Sequence, residues 1–171
     1  MVHRVIDQLP DVVGIVGSRG PDREKGRVGW PLDRYNLIVQ LVGRIQDRRH
    51  RVGKLATIVS GGAPSGVDRQ VQIACRNAGI CFGEHLLTDP TSVDCQNDHF
   101  HEIPALWHGA DGKQPLNRHA GYERNDKLVR HCGLVLALFA DGALTSGTND
   151  VVRRCREYDI PVLTYHEGVW R

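Results

Sequence analysis

The chain has 171 residues, 40% hydrophobic and 25% charged, an ordinary composition that suits one domain around one core. Its formal net charge is +2, too weak a field to imply a nucleic-acid surface by itself. No apolar run approaches the ~20 residues that cross a bilayer and no secretory leader pattern opens the chain, so a cytoplasmic protein without a membrane partner is expected.

In chain order, Asp11 to Gly17 is a short apolar run closed by glycine and reads as a buried strand. Ser18-Arg19-Gly20-Pro21 is turn chemistry, and the polar stretch Asp22 to Gly29 reads as a mobile loop. From Asp33 to Arg48, Leu37, Leu41, Val42 and Ile45 recur at helical spacing, with Asp33 placed to cap the helix. Arg44, Arg48, Arg49, Arg51 and Lys54 gather at its end, where the helix dipole favours cations.

Leu55 to Ser60 is a second strand and opens into Gly61-Gly62-Ala63-Pro64-Ser65-Gly66. Val67 to Asn77 reads as a helix, and Ile80 to Leu87 as a third strand weakened by Gly83 and Glu84. Asp89 to Arg118 breaks the rhythm. It is polar, rich in His, Asp and Pro, and reads as a long irregular insertion with a short helix near Asp98 to Leu106. His119 to Cys132 is a helix, Leu134 to Phe139 a strand apolar on both faces, Thr148 to Tyr158 a helix, and Ile160 to Tyr165 a last strand. Apolar strands alternating with amphipathic helices make βαβ units. They predict an α/β, Rossmann-like, three-layer fold with a mostly parallel sheet, in one domain spanning residues 1–171.

The chemistry concentrates at strand-to-helix junctions rich in Gly, Ser and Thr: Gly17-Ser18-Arg19-Gly20, Ser60 to Gly66, and Thr145-Ser146-Gly147-Thr148. In an open parallel sheet these turns share one edge, outside the strand carboxyl ends, where such folds bind ligands. Glycine lets a phosphate approach the backbone, and the amides that open the next helix donate to it. Ser18, Ser60, Ser146 and Thr148 add hydroxyls, and Arg19 adds a charged fork. No junction carries G-x-G-x-x-G or the P-loop pattern, so neither a dinucleotide nor an NTPase site is implied and no cofactor is expected. Asp68 and Asp150 sit near the starts of helices, where a carboxylate is favoured by the dipole alone. Their functional reading is contact with ribose hydroxyls or a base edge, or general-base work.

The cysteines are Cys75, Cys81, Cys95, Cys132 and Cys155, an odd number without a C-x-x-C pair. They argue against a disulfide framework and a zinc ribbon. Cys95 and His99 are four apart within the ligand-dense run Asp94 to Glu102, but no second well-spaced pair accompanies them. A polar lid or a dimer contact is expected there rather than a metal.

Ile15-Val16-Gly17-Ser18-Arg19, followed by Val59-Ser60-Gly61-Gly62-Ala63 with Gly66-Val67-Asp68, resembles the SLOG superfamily. That group contains the DNA-processing protein A family and the LOG-type phosphoribohydrolases. Arg124-Asn125, then an apolar strand and Ser146-Gly147-Thr148, resembles its small stand-alone members. The resemblance implies a Rossmann-like domain, frequently a homodimer, that binds nucleotides or nucleotide-derived ligands. The ligand-binding residues it implies are Gly17, Ser18, Arg19, Ser60, Gly61, Gly62, Gly66, Asp68, Arg124, Asn125, Ser146, Gly147, Thr148 and Asp150. LOG enzymes are similar in carrying P-G-G-x-G-T-x-x-E, but here the glutamate position is Val151. Asp150, one residue earlier, would project about 100° away on a helix.

The leading expectation is therefore a module that binds a nucleotide or a nucleotide-derived ligand at the Gly-rich strand-to-helix turns, with sensing as one use of that binding. The alternatives are a nucleotide N-glycosidase using Asp150 or Asp68, and a single-strand DNA binder. The DNA reading needs a basic groove with stacking aromatics, whereas aromatic residues make up 6% and Trp30 and Tyr35 stand nearly alone.

Overall fold

The computed structural model describes residues 10–20, 29–53, 56–63, 65–82, 99–102, 119–140 and 146–171. The central strands are β1 (Val12–Gly17), β2 (Thr57–Ser60) and β5 (Leu134–Leu138). Their side chains alternate between two buried faces, as the near-continuous apolar runs require. Val13, Ile15, Ile58, Leu134, Leu136 and Leu138 pack on one side, and Val16, Val59, Val135 and Ala137 on the other.

The first face is covered by α1 (Tyr35–Val52) and α2 (Val67–Asn77). Ile38, Leu41, Val42 and Ile45 of α1 and Val67, Val71, Ala74 and Cys75 of α2 enter its core. The opposite face is covered by α3 (Ala120–His131) and α4 (Ser146–Glu157), through Leu128, Val129, Val151, Val152 and Cys155. This is the three-layer α/β arrangement. Cys75, Cys132 and Cys155 are buried free thiols. Burial pushes the Cys132 thiol up to about 12 and that of Cys155 to about 11, so they act as small hydrophobes.

Among the described residues the sheet has seven strands in the order β3-β4-β2-β1-β5-β6-β7. β3 is Cys81–Phe82, β4 His99–Glu102, β6 Val162–His166 and β7 Val169–Trp170. All neighbours are parallel except the β6–β7 hairpin, where Tyr165 faces Trp170. Glu167 and Gly168 form its two-residue turn with φ of 50° and 81°, the left-handed pair that such a turn needs. The chain moves from β1 to β2 on one side and reaches β5 on β1's other side. The strand order thus reverses at β1, and the crevice of the fold lies outside the carboxyl ends there.

Several expectations need correction. The short helix expected near Asp98 to Leu106 is replaced at 99–102 by β4, which pairs with both β2 and β3. A four-residue run cannot declare its period by itself, and the sheet decides. Asp33 does not cap α1; it lies within a 3₁₀ turn, Leu32–Arg34, that leads into the helix. α4 begins at Ser146, two residues before the expected Thr148. Of the third strand, the described part is Cys81–Phe82, and β7 was not foreseen. The rest of 89–118, the loop at 22–28 and Thr145 lie outside the described residues.

Candidate functional site at the carboxyl edge

Ser18 follows β1 and is fully buried. Its N–H donates to the Leu138 carbonyl at 3.0 Å and its carbonyl accepts from the Val67 N–H at 3.1 Å. Its hydroxyl oxygen accepts from the Ala140 N–H at 3.0 Å. One residue therefore ties β1 to the end of β5 and to the start of α2. The neighbouring glycines serve the same close approach. A Cβ on Gly17 would stand 2.4 Å from the Leu138 carbonyl oxygen and 2.6 Å from a Val67 methyl. Gly66 has φ of +77°, and a Cβ there would stand 2.3 Å from the Ser18 carbonyl oxygen. These positions bring α2 against β1, and the first amide of α2 is already in use.

Beside this tie lies a charged cluster. Asp68, in the first turn of α2 and 5% exposed, accepts the Ala63 N–H on Oδ2 at 3.1 Å, which closes the turn after β2. The same oxygen stands 3.8 Å from Nη1 of Arg124 on α3. Arg124 donates through Nη1 to the Gly61 carbonyl and through Nε to Asn125 Oδ1 at 2.8 Å. Its Nη2 makes no hydrogen bond to any described residue. A Cβ on Gly61 would collide with the Arg124 guanidinium and with Asp68, so this glycine is what lets the pair sit over the turn.

Burial pushes the Asp68 carboxyl above the usual carboxylate range, against the pull of Arg124, the Ala63 N–H, the Ser60 hydroxyl and Arg19. Burial likewise lowers Arg124; Asp68 opposes that, and Arg19 adds to it by like-charge repulsion. The exposed Arg19 side chain is thus within electrostatic reach of both. Ser60 Oγ and Asp68 Oδ1 are buried without a hydrogen-bond partner among the described residues. The Ser60 hydroxyl helps hold the Asp68 charge without making a bond of ordinary geometry.

The third junction is arranged differently. Ser146 and Gly147, in the first turn of α4, are exposed, and Thr148 is buried. A Cβ on Gly147 would meet nothing within 4 Å. Asn125, 3% exposed, donates through Nδ2 to the Gly147 carbonyl at 3.2 Å and to Asp150 Oδ2 at 3.0 Å. Asp150 also accepts from Arg153 Nη2 at 2.7 Å and Arg154 Nε at 2.9 Å. Burial would raise its pKa, but the bonds from Arg154, Arg153 and Asn125 outweigh it and hold the carboxyl below the usual range. Val151 is 2% exposed and belongs to the core.

The structure thus joins Arg19, Ser60, Gly61, Asp68, Arg124, Asn125, Gly147 and Asp150 by direct bonds or charge. It gives Gly17, Ser18 and Gly66 internal partners, and Gly62 a φ of +67° in the turn after β2. Sequence reasoning missed the network behind the site. Asp126 takes Arg154 Nη1 at 2.6 Å, Arg130 Nε at 2.8 Å and the Tyr158 hydroxyl. The i,i+4 spacings of Asp126 with Arg130 and Asp150 with Arg154 were available as a signal. It also missed Trp30, whose Nε1 donates to Gln70 Oε1 at 2.8 Å while its backbone N–H meets the Arg19 carbonyl at 2.7 Å. The Cys95 to Glu102 cluster lies outside the described residues except for the backbone of β4. Among the described residues, no group of three or more His, Cys, Asp and Glu side chains could hold a metal ion, and no helix is long and apolar enough to cross a membrane.

No family model and no curated protein matches the sequence. Solved structures do match the fold. The molybdenum cofactor binding protein from Rippkaea orientalis superposes with a TM-score of 0.53 at 16% identity, over 91% of this chain and 76% of that one. DNA processing protein A from Streptococcus pneumoniae gives 0.54 at 21% identity, over 93% and 51%. At this identity the likeness shows a shared fold, a Rossmann-like α/β sheet, and no more. The single-stranded DNA-binding DNA processing protein A from Helicobacter pylori gives 0.52 at 21% identity, over 94% and 67%. This chain spans about half the length of the Streptococcus protein. In this Rossmann-like fold the cluster of Arg19, Asp68 and Arg124 stands at the carboxyl edge of β1 and β2, where the strand order reverses.

Proposed function

We propose that this protein binds a nucleotide or nucleotide-derived small molecule, and that the phosphate lies between Arg19, Arg124 and the exposed first turn of α4. The observation that carries this reading is the charge arrangement at the edge. Two guanidinium groups repel each other beside one carboxylate, and Nη2 of the half-buried Arg124 has both N–H groups unused by the described residues. An anion there would relieve the repulsion and take charge-assisted bonds from a fork that matches phosphate geometry. Structures similar in fold include proteins named for molybdenum cofactor binding and for single-stranded DNA binding, which is compatible with a ligand-binding role on this fold.

A DNA-binding role is the weaker reading, because it asks for a basic groove with stacking rings. Trp30 is fully buried, so its indole offers no platform to a base. The test is titration calorimetry with adenosine and guanosine monophosphates, their nucleosides, and a single-stranded oligonucleotide. Binding of the monophosphates with much weaker binding of the nucleosides supports the phosphate site. Equal affinity for nucleoside and nucleotide, or binding of the oligonucleotide alone, overturns it.

A further inference from the structure

We infer that Tyr122 is a stacking platform for the ligand's planar ring, so that the base lies over the meeting of α3 and α4 while the phosphate lies by Arg124. This deepens the phosphate-site reading and rests on it. Tyr122 stands in the first turn of α3 and is 44% exposed. Its hydroxyl makes no hydrogen bond among the described residues. An exposed ring alone needs no explanation, but its place is informative. Residues three and four apart share one face of a helix. Tyr122 precedes Asn125 by three and Asp126 by four, and both of these bond to α4. Asn125 donates to the Gly147 carbonyl at 3.2 Å, and Asp126 accepts from Arg154 at 2.6 Å. Tyr122 therefore sits on the stripe of α3 that faces α4, one turn nearer the carboxyl edge.

At that level α4 presents its start. Ser146 and Gly147 are exposed, and a Cβ on Gly147 would meet nothing within 4 Å. Helix side chains tilt toward the N-terminus, so the ring leans out past this open turn. Arg124 lies two residues on, about 200° around the helix, on the flank that meets Gly61 and Asp68. A ligand held by both must cross the width of the helix start, roughly 10–12 Å with its side chains. A bare phosphate cannot do so; a phosphate joined through a sugar to a planar ring can. Asn125, between the two flanks, has its amide committed to Gly147 and Asp150 and its oxygen to Arg124. That leaves no free donor there for the edge of a base. Stacking asks for a flat face and tolerates every base, so the ring is held by its surface and its identity is read weakly. One tyrosine seats one base, which fits a mononucleotide rather than a strand.

The experiment compares adenosine monophosphate with ribose 5-phosphate, which keeps the sugar and phosphate but has no ring to stack, in calorimetric titrations. The expected result is an affinity for adenosine monophosphate about tenfold above that for ribose 5-phosphate, in the range that stacking on one aromatic side chain supplies. Tyr122→Ala should bring the ratio close to one by weakening adenosine monophosphate alone. Tyr122→Phe should keep the ratio, since it keeps the ring. The side chain is exposed, so both variants should melt with the parent, and thermal melts check that they are folded. Equal affinities in the parent protein overturn the stacking platform and leave the phosphate site intact. No binding of either probe overturns both. A parent preference that survives Tyr122→Ala places the ring elsewhere and overturns the assignment. So does a ratio lost equally in Tyr122→Phe, which would make the hydroxyl, not the ring, the contact.

Discussion

Asn125 donates its side-chain amide to the Gly147 carbonyl at 3.2 Å, and so fixes the first turn of α4 against α3. The same amide meets Asp150, and its oxygen accepts from Arg124. One buried residue therefore sets the relation between the guanidinium and the helix start that flank the proposed phosphate. Asn125→Ala would leave the Asp150 and Arg124 groups short of a partner. A loss of about 1–3 kcal/mol is expected for such unsatisfied buried groups, measured by urea denaturation. Phosphate affinity should fall in the same variant, read by calorimetry well below its melting temperature.

Arg19 separates binding from stability. Its side chain is exposed, and its backbone carbonyl, which holds the Trp30 N–H at 2.7 Å, survives substitution. Arg19→Ala should leave the melting temperature nearly unchanged. It should weaken phosphorylated ligands by roughly 1.5–3 kcal/mol, the range for a hydrogen bond to a charged group, and leave nucleosides unaffected. Equal losses for both ligand types would place the side chain away from the phosphate.

The glycines should divide into two groups. Gly66→Ala adds a Cβ at φ +77° and 2.3 Å from the Ser18 carbonyl oxygen, so it should destabilise by about 2 kcal/mol or more, through left-handed strain and overpacking. Gly147→Val meets open space on the first turn of α4. It should keep or slightly raise stability, since valine is the better helix former by a few tenths of a kcal/mol. Ligand affinity should nevertheless drop, because the branched side chain stands where the phosphate would approach. Thermal melts paired with titrations separate the two effects.

The sheet centre was legible because β1, β2 and β5 are buried on both faces, and burial on both faces demands continuous apolar runs. α2 was legible end to end, from Val67 to Asn77, because a glycine turn and Asn77-Ala78-Gly79 bracket it. β4 was not, since His99–Glu102 has no apolar run and forms only through its neighbours β2 and β3. The residues of the candidate site could be picked out as types at junctions. Their roles could not, because Asp68 pairs across 56 positions with Arg124 and no local pattern encodes that meeting. Nor does sequence tell a glycine that packs against a strand, such as Gly17, from one that faces open space, such as Gly147.

Acid should loosen the α3–α4 interface first. Asp126 is held below its ordinary value by the Tyr158 hydroxyl, then by Arg130 and Arg154, and Asp150 is held low as well. A carboxylate depressed in the folded state stabilises fully above its unfolded pKa, near ~3.9, and this contribution is lost as pH falls through the folded value. Stability should therefore decline below about pH 4. Tyr158→Phe removes the largest cause at Asp126. The variant should be less stable than the parent at neutral pH, and the gap should narrow as pH falls through that window. Urea midpoints measured across pH check this; a gap that does not change with pH would show that Tyr158 contributes by packing alone.

The last prediction concerns catalysis. Hydrolysis of an N-glycosidic bond needs a carboxylate free to activate water or to face the positive charge that develops on the sugar. The resemblance puts that group at position 151, where this chain has a valine turned into the core. Asp150 has both oxygens committed, to Arg153, Arg154 and Asn125. Those bonds also hold its carboxyl below the ordinary range, which makes it a poor general base. Asp68 is raised by burial, but it is covered and carries the Ala63 turn. Base release from adenosine or guanosine monophosphate, followed by chromatography over hours, should stay at background. Asp150→Asn should lower stability by about 1–3 kcal/mol, since it disturbs buried bonds to charged groups, with no change in that background. Steady base release by the parent, abolished in a folded Asp150→Asn or Asp68→Asn variant, would turn the binding site into an active site.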